Sequence, residues 1–189
     1  MAVAKELDYL FNFPLNADSV VVEVGCYTGE WAEEINRRYN CRVFTFEPMA
    51  QFYDEAVKRF AGNPKIGVVN YAVGAFDGIG VITAKGTMTG AFACGGEVQD
   101  CKYMGIRQAL GLKGATSLLS LNCEGGEFAI LEWLISNDAM AEIPHLLVQF
   151  HPVVPDCGKR YEDIQQALSK THEATYSDGW VWQKWRRKQ

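Results

Sequence analysis

Two hydrophobic patterns alternate along the chain. One is a short apolar, β-branched run; the other is an apolar stripe recurring every three or four residues. The first run, Val20-Val21-Val22-Glu23-Val24, predicts a buried strand over about 19–24. Trp31, Ile35 and Tyr39 then stand four apart and predict a helix with one inward face. Arg42 to Phe46 reads as a second strand. Phe52, Ala56, Val57 and Phe60 mark a second helix, which stops at Gly62-Asn63-Pro64. A third strand is predicted near 66–70, and then a hairpin turning at Asp77-Gly78 between Val73 and Val81-Ile82. Residues 84–98 carry four of the 18 glycines and no periodicity, so they are expected to form a flexible loop. A helix near 100–110 follows, then a strand from Ser117 to Asn122. A helix begins at Gly125-Gly126 with Phe128, Leu131 and Leu134 inward. After it come a strand from Leu146 to Phe150 and a helix carrying Tyr161, Ile164 and Leu168. Asp178-Gly179 marks a closing hairpin. At the start, Val3, Leu7 and Leu10 share a helical face and predict a capping helix over 1–13.

Strand and helix alternating in this way predict an α/β fold, a parallel sheet with helices on both faces. At 189 residues the chain is expected to be one domain, 1–189, with a single substantial core. The net charge of −5 argues against nucleic-acid and anionic-membrane surfaces as partners. Its one basic cluster, Lys184 to Lys188, is expected to be a solvated tail. No run approaches the about 20 apolar residues of a membrane span. The six cysteines form no C-x-x-C pair, which fits free thiols in a reducing cytoplasm. No His, Cys, Asp or Glu cluster has metal-ligand spacing, so no metal is expected.

The chemistry concentrates where the first strand ends. Glu23-Val24-Gly25-Cys26-Tyr27-Thr28-Gly29 joins strand to helix, and Glu47-Pro48 follows the second strand. This is the layout of a nucleotide-binding βαβ unit, in which glycines let the backbone approach a ligand at a helix N-terminus. The acid after the second strand can accept hydrogen bonds from both ribose hydroxyls. A dinucleotide site wants G-x-G-x-x-G, with room for a pyrophosphate. Here Tyr27 occupies the middle position, and no Arg or Lys lies between Gly25 and Gly29. Glu23 further disfavours phosphate. A ribose joined to a cationic or zwitterionic end fits better, which points to S-adenosyl-L-methionine.

The segments VVVEVGCYTGEWAEEI (20–35), VFTFEPMAQFYDEA (43–56), VVNYAVGAFDGIGVI (68–82), LLSLNCEGGEFAILEWL (118–134) and HLLVQFHP (145–152) together resemble FkbM-type S-adenosylmethionine-dependent methyltransferases. The resemblance covers most of the chain in the family's order. It implies a Rossmann-like three-layer sandwich whose mostly parallel seven-stranded sheet ends in an antiparallel hairpin. It also implies a methyl acceptor that is a hydroxyl on a small metabolite or sugar. Two positions depart from the family: Asn122 stands where an aspartate is usual, and Gln149 where a carboxylate is usual.

Ligands of an open parallel sheet bind off the carboxyl ends of its strands. That rule selects Glu23, Gly25, Cys26, Tyr27, Gly29, Glu47, Pro48, Asn70, Tyr71, Ala72 and Asn122 as cofactor-binding candidates. Glu47 is assigned to the ribose, and Asn70 and Tyr71 border the adenine. By the resemblance Glu23 holds the methionine end. His151, Glu124 and Asn122 are the catalytic candidates, with His151 or Glu124 as base. Substrate contacts are expected from the N-terminal helix, the 84–98 loop and the segment after His151, or from a partner subunit in a homodimer. Two other readings stay open. One is a non-catalytic cofactor-binding module, motivated by Asn122 and Gln149. The other is a dinucleotide oxidoreductase, disfavoured by Tyr27 and the terminal hairpin.

Overall fold

A computed structural model of the chain describes residues 8–85, 88–90, 97–111 and 115–189. Its centre is a seven-stranded sheet. Strand β1 (Val20–Val24) pairs in parallel with β2 (Arg42–Phe46) on one side and with β8 (Leu118–Leu121) on the other. The third strand, β3 (Ile66–Val69), lies outside β2, and β9 (His145–Gln149) lies outside β8, both parallel. The C-terminal strands β10 (His172–Ser177) and β11 (Trp182–Arg187) form the expected hairpin, with β11 antiparallel to β9. The order β3-β2-β1-β8-β9-β11-β10 reverses direction beside β1. In open α/β sheets such a switch point opens a crevice.

Alternation along the strands sorts the side chains into two cores. Val21, Val43, Leu118 and Leu147 face helices α1 (Glu30–Tyr39) and α2 (Ala50–Arg59), packing with Ala32, Ile35, Ala56 and Phe60. Val22, Val24, Phe46, Leu119, Leu121, Leu146 and Val148 face helices α4 (Gly126–Ser136) and α5 (Cys157–Thr171). Strand β1 is buried throughout because helices cover both faces, which accounts for its unbroken apolar run. Helix α4 buries Glu127, Phe128, Ile130, Leu131 and Leu134, which fall on one face, so Glu127 enters the core with the apolar stripe.

A second, smaller sheet stands between β3 and β8 in the chain. It comprises β4 (Ala72–Gly74), β5 (Gly78–Lys85), β6 (Met88–Gly90) and β7 (Glu97–Gly105), in the order β4-β7-β5-β6. This corrects three expectations. The chain does turn at Asp77-Gly78, but β5 pairs with β7, and β4 joins β7 in parallel. Residues 84–98 are partly strand, with 86–87 and 91–96 outside the described residues. Most of the helix expected at 100–110 is strand β7, and α3 (Ile106–Gly111) starts only after it. Cys101, Tyr103 and Ile82 face the main body, where the core of Met49, Phe52 and Ala72 outweighs the weak helical pattern.

At the N-terminus residues 1–7 lie outside the described residues, and Asp8–Leu10 form a single 3₁₀ turn. The basic residues near the C-terminus belong largely to β11. Lys184 donates to the Asn12 carbonyl, Arg186 pairs with Glu173, and Arg187 donates to the Ala141 carbonyl. Among the described residues, no helix is long and apolar enough to cross a membrane, and no group of three or more His, Cys, Asp or Glu side chains is arranged to hold a metal ion.

Candidate active site

At the carboxyl ends of β1, β2 and β8 lies a cleft of about 380 Å³, within the size range of small-molecule sites. Three walls meet there. The first is the turn after β1, with Gly25 and Tyr27. The second is Glu47-Pro48 after β2, together with Tyr71 and Ala72. The third is Asn122 to Gly126, between β8 and α4. The inserted sheet adds Gly74, Ala75, Phe76 and Tyr103, and Arg160 reaches in from α5.

The turn after β1 is shaped by backbone constraints. Gly25 has φ +87, and a Cβ there would stand 1.9 Å from the Asn122 carbonyl oxygen. Only glycine lets the β1 and β8 turns approach this closely. Two residues with side chains also take positive φ at the cleft wall, Tyr27 at 53° and Glu124 at 52°. Such outliers cost of order 1 kcal/mol and cluster at ligand sites.

Glu47 is held by the backbone around it. Its two carboxylate oxygens accept from the Tyr27 amide at 2.9 Å and the Met49 amide at 3.0 Å. Burial pushes its pKa up to about 7, against these two hydrogen bonds, which favour the charged form. Each oxygen keeps a lone pair for a ligand hydroxyl. The Asn70 side chain does not line the cleft. It donates to the carbonyls of Glu47 and Pro48, so it fastens the wall from behind.

Three other cofactor candidates lie outside the lining. Glu23 points from β1 into the core under α1, level with Thr45 and Ser120, because the alternation that sends Val24 toward α4 sends Glu23 the other way. It is 3% exposed and accepts from the Thr45 hydroxyl at 2.6 Å. Burial raises its pKa to about 8 despite that bond. Cys26 is buried in the same core, and burial pushes its thiol far above the ordinary range. Gly29, at φ +95, caps α1, and a Cβ there would meet the Phe60 ring at 2.6 Å rather than the cleft. Arg59 reaches this turn by donating to the Thr28 carbonyl, but Glu30 and Glu33 pair with it.

On the opposite wall Glu124 lines the cleft, and His151 stands behind it without lining the cleft. His151 Nε2 lies 3.4 Å from Glu124 Oε1, and Nδ1 lies 3.2 Å from Glu127 Oε1. Burial would lower the His151 pKa, but Glu127 and Glu124 outweigh it and hold it above the ordinary histidine value. Burial raises the Glu124 pKa, with His151 pulling the other way. Glu127, in the first turn of α4, was not among the candidates, yet it is a fully buried hub. Arg160 was also missed. It forks onto Glu132 at 2.6 and 2.7 Å and lies over the Phe128 ring. No local spacing links residue 160 to this wall; only the packing of α5 against α4 does.

No family model matches the chain, and no curated protein matches its sequence. Solved structures do share its fold. An rRNA methylase from Streptococcus thermophilus aligns over 100% of this chain and 98% of its own, with a TM-score of 0.57 at 9% identity. An SAH-bound methyltransferase of Podospora anserina aligns over 90% of this chain and 72% of its own (TM-score 0.53, 12% identity). TrmK of M. capricolum, in complex with S-adenosyl-homocysteine, aligns over 97% and 68% (TM-score 0.51, 11% identity). The chain therefore has the Rossmann-like fold of class I methyltransferases, with its cleft at the switch point of the sheet.

Proposed function

We propose that the protein is an FkbM-like methyltransferase that moves a methyl group from S-adenosylmethionine to a hydroxyl of a small metabolite or sugar. The observation that carries this reading is that Glu47 and Glu124 open on one cleft, from the two strands that flank β1. The residues suit such a cofactor. Glu47 is already aimed by two amides and can take the ribose hydroxyls. Pro48, Tyr71 and Ala72 offer an apolar wall to the adenine. The Gly25–Tyr27 turn and Asn122 can hold the methionine end. The acids of this cleft favour a cation over a phosphate. Bound there, the cofactor would supply a methyl already activated on a sulfonium.

What remains for the chain is alignment and proton removal. Alignment is the larger contribution for an activated methyl. A hydroxyl acceptor also needs a base, and of the two cleft carboxylates Glu124 is the one not assigned to the ribose. Gly74, Ala75, Phe76 and Tyr103 can form the acceptor wall. Arg160, the one cation lining the cleft among the described residues, is committed to Glu132. That favours a neutral hydroxylated acceptor over a phosphodiester chain. The test is incubation with methyl-labelled S-adenosylmethionine and a panel of hydroxylated metabolites, sugars and RNA. The reading expects label on a small hydroxylated compound, with Glu124→Gln slowing turnover about 10²-fold. Label on RNA alone would refute the acceptor class. Cofactor binding with no acceptor labelled would favour a non-catalytic module.

A further inference from the structure

Glu127 is 0% exposed, yet it meets four donor groups of the described residues. Its Oε2 accepts from the Gly125 amide at 2.9 Å and faces the Cys123 thiol at 3.6 Å. Its Oε1 accepts from the His151 amide at 2.7 Å and lies 3.2 Å from His151 Nδ1. A carboxylate is acceptor-only, so the ring proton of neutral His151 belongs on Nδ1. Nε2 then presents its lone pair to Glu124 Oε1 at 3.4 Å. Two acceptors cannot bond each other, so the two attract only when a proton sits on Nε2 or on Glu124. Glu124 faces the cleft, and the His151 side chain keeps 13% of its surface in solvent.

We infer that Glu124, His151 and Glu127 form a proton exit from the cleft. This rests on the hydroxyl-acceptor reading above. The acceptor O–H bond breaks with its electron pair left on oxygen, and the proton forms an O–H bond with Glu124. Glu124 then gives it to Nε2 of His151, regenerating the carboxylate. The imidazolium, flanked by Glu124 and Glu127, discharges the proton to water. Glu127 is a positioning residue: it fixes which ring nitrogen is free. Among the described residues, Cys123 and Arg160 also stand on this side of the cleft, and neither supplies a free charge. Burial holds the Cys123 thiol well above its ordinary pKa, and Arg160 is paired with Glu132.

The test reads the ring nitrogens of the 189-residue chain by ¹⁵N NMR across pH. The chain has three histidines, and His151→Gln assigns the signal. The wild type is expected to show the Nδ1–H tautomer at His151, titrating above the free-histidine value of about 6.5. Glu124→Gln should lower that titration and keep the tautomer. Glu127→Gln should lower it and mix the tautomers. An Nε2–H tautomer in the wild type, or titration unmoved by Glu124→Gln, would overturn the inference. If Glu127→Gln does not fold, the wild-type tautomer and the Glu124→Gln shift still decide the matter. None of these readouts needs an acceptor. A relay that fails is thereby distinguished from a chain that transfers no methyl.

Discussion

Gly25→Ala is the substitution whose consequences the structure defines most narrowly. The new Cβ would sit 1.9 Å from the Asn122 carbonyl oxygen and 2.9 Å from its carbon. Both are backbone atoms, so no side chain can rotate to relieve the overlap. Holding alanine at φ +87 costs about 1–2 kcal/mol. Parting the turns also strains the Gly25 amide to Phe46 carbonyl bond and the Asn122 amide to Val24 carbonyl bond, each worth about 0.5–1.5 kcal/mol net. The expected stability loss is thus roughly 2–5 kcal/mol. Because Gly25 and Asn122 both line the cleft, affinity for S-adenosylhomocysteine should also fall, by about tenfold or more. Gly29→Ala is the control. It shares the positive φ but meets only the Phe60 ring and the Arg59 side chain, away from the cleft. It should lose stability and keep affinity. Denaturant unfolding and calorimetric titration of both variants give the comparison. Gly25→Ala binding at wild-type strength, or Gly29→Ala losing as much affinity, would refute the reasoning.

Two further substitutions probe the buried acids. Glu47→Ala should weaken S-adenosylhomocysteine binding by about 1.5–3 kcal/mol in calorimetry, from lost charge-assisted bonds; unchanged affinity would leave Glu47 as a brace for Tyr27 and Met49 only. Since burial raises the Glu47 pKa to about 7, affinity in the wild type should rise between pH 6 and 8 as the better acceptor forms. Glu23 tests linkage. Its folded pKa is raised to about 8 from 4.5, so the folded state holds a proton that the unfolded state has released. Stability attributable to Glu23 is fully present below about pH 4.5 and is lost as pH rises toward 8. Glu23→Gln should flatten that decline, with the variant gaining on the wild type at pH 8 in denaturant melts, and parallel pH profiles would contradict it.

The main sheet was legible because its strands are β-branched runs and its helices carry clear stripes. Strand β2 falls at Arg42–Phe46 as expected, and β1 within one residue. The inserted sheet was not legible. Gly78, Gly80 and Gly105 interrupt its alternation, and its pairing of β4 with β7 joins residues about thirty apart. Of the site, Gly25, Tyr27, Glu47, Pro48, Tyr71, Ala72, Asn122 and Glu124 line the cleft as the strand-end rule expects. Glu23, Cys26, Gly29, Asn70 and His151 sit one layer behind, because position at a strand end does not say which face a side chain takes. The C-E-G-G-E block carried the signal for Glu127, since an acid two residues past a glycine at φ +99 can turn back onto the loop amide.

The central claim is that this cleft binds S-adenosylmethionine through Glu47 and the Gly25 turn. Calorimetric titration of the wild-type chain with S-adenosylmethionine, S-adenosylhomocysteine and NAD tests it most directly. The account predicts saturable one-to-one binding of the first two, lost or much weakened in Glu47→Ala, and no binding of NAD. Binding of NAD in preference, or of none of the three, would contradict it.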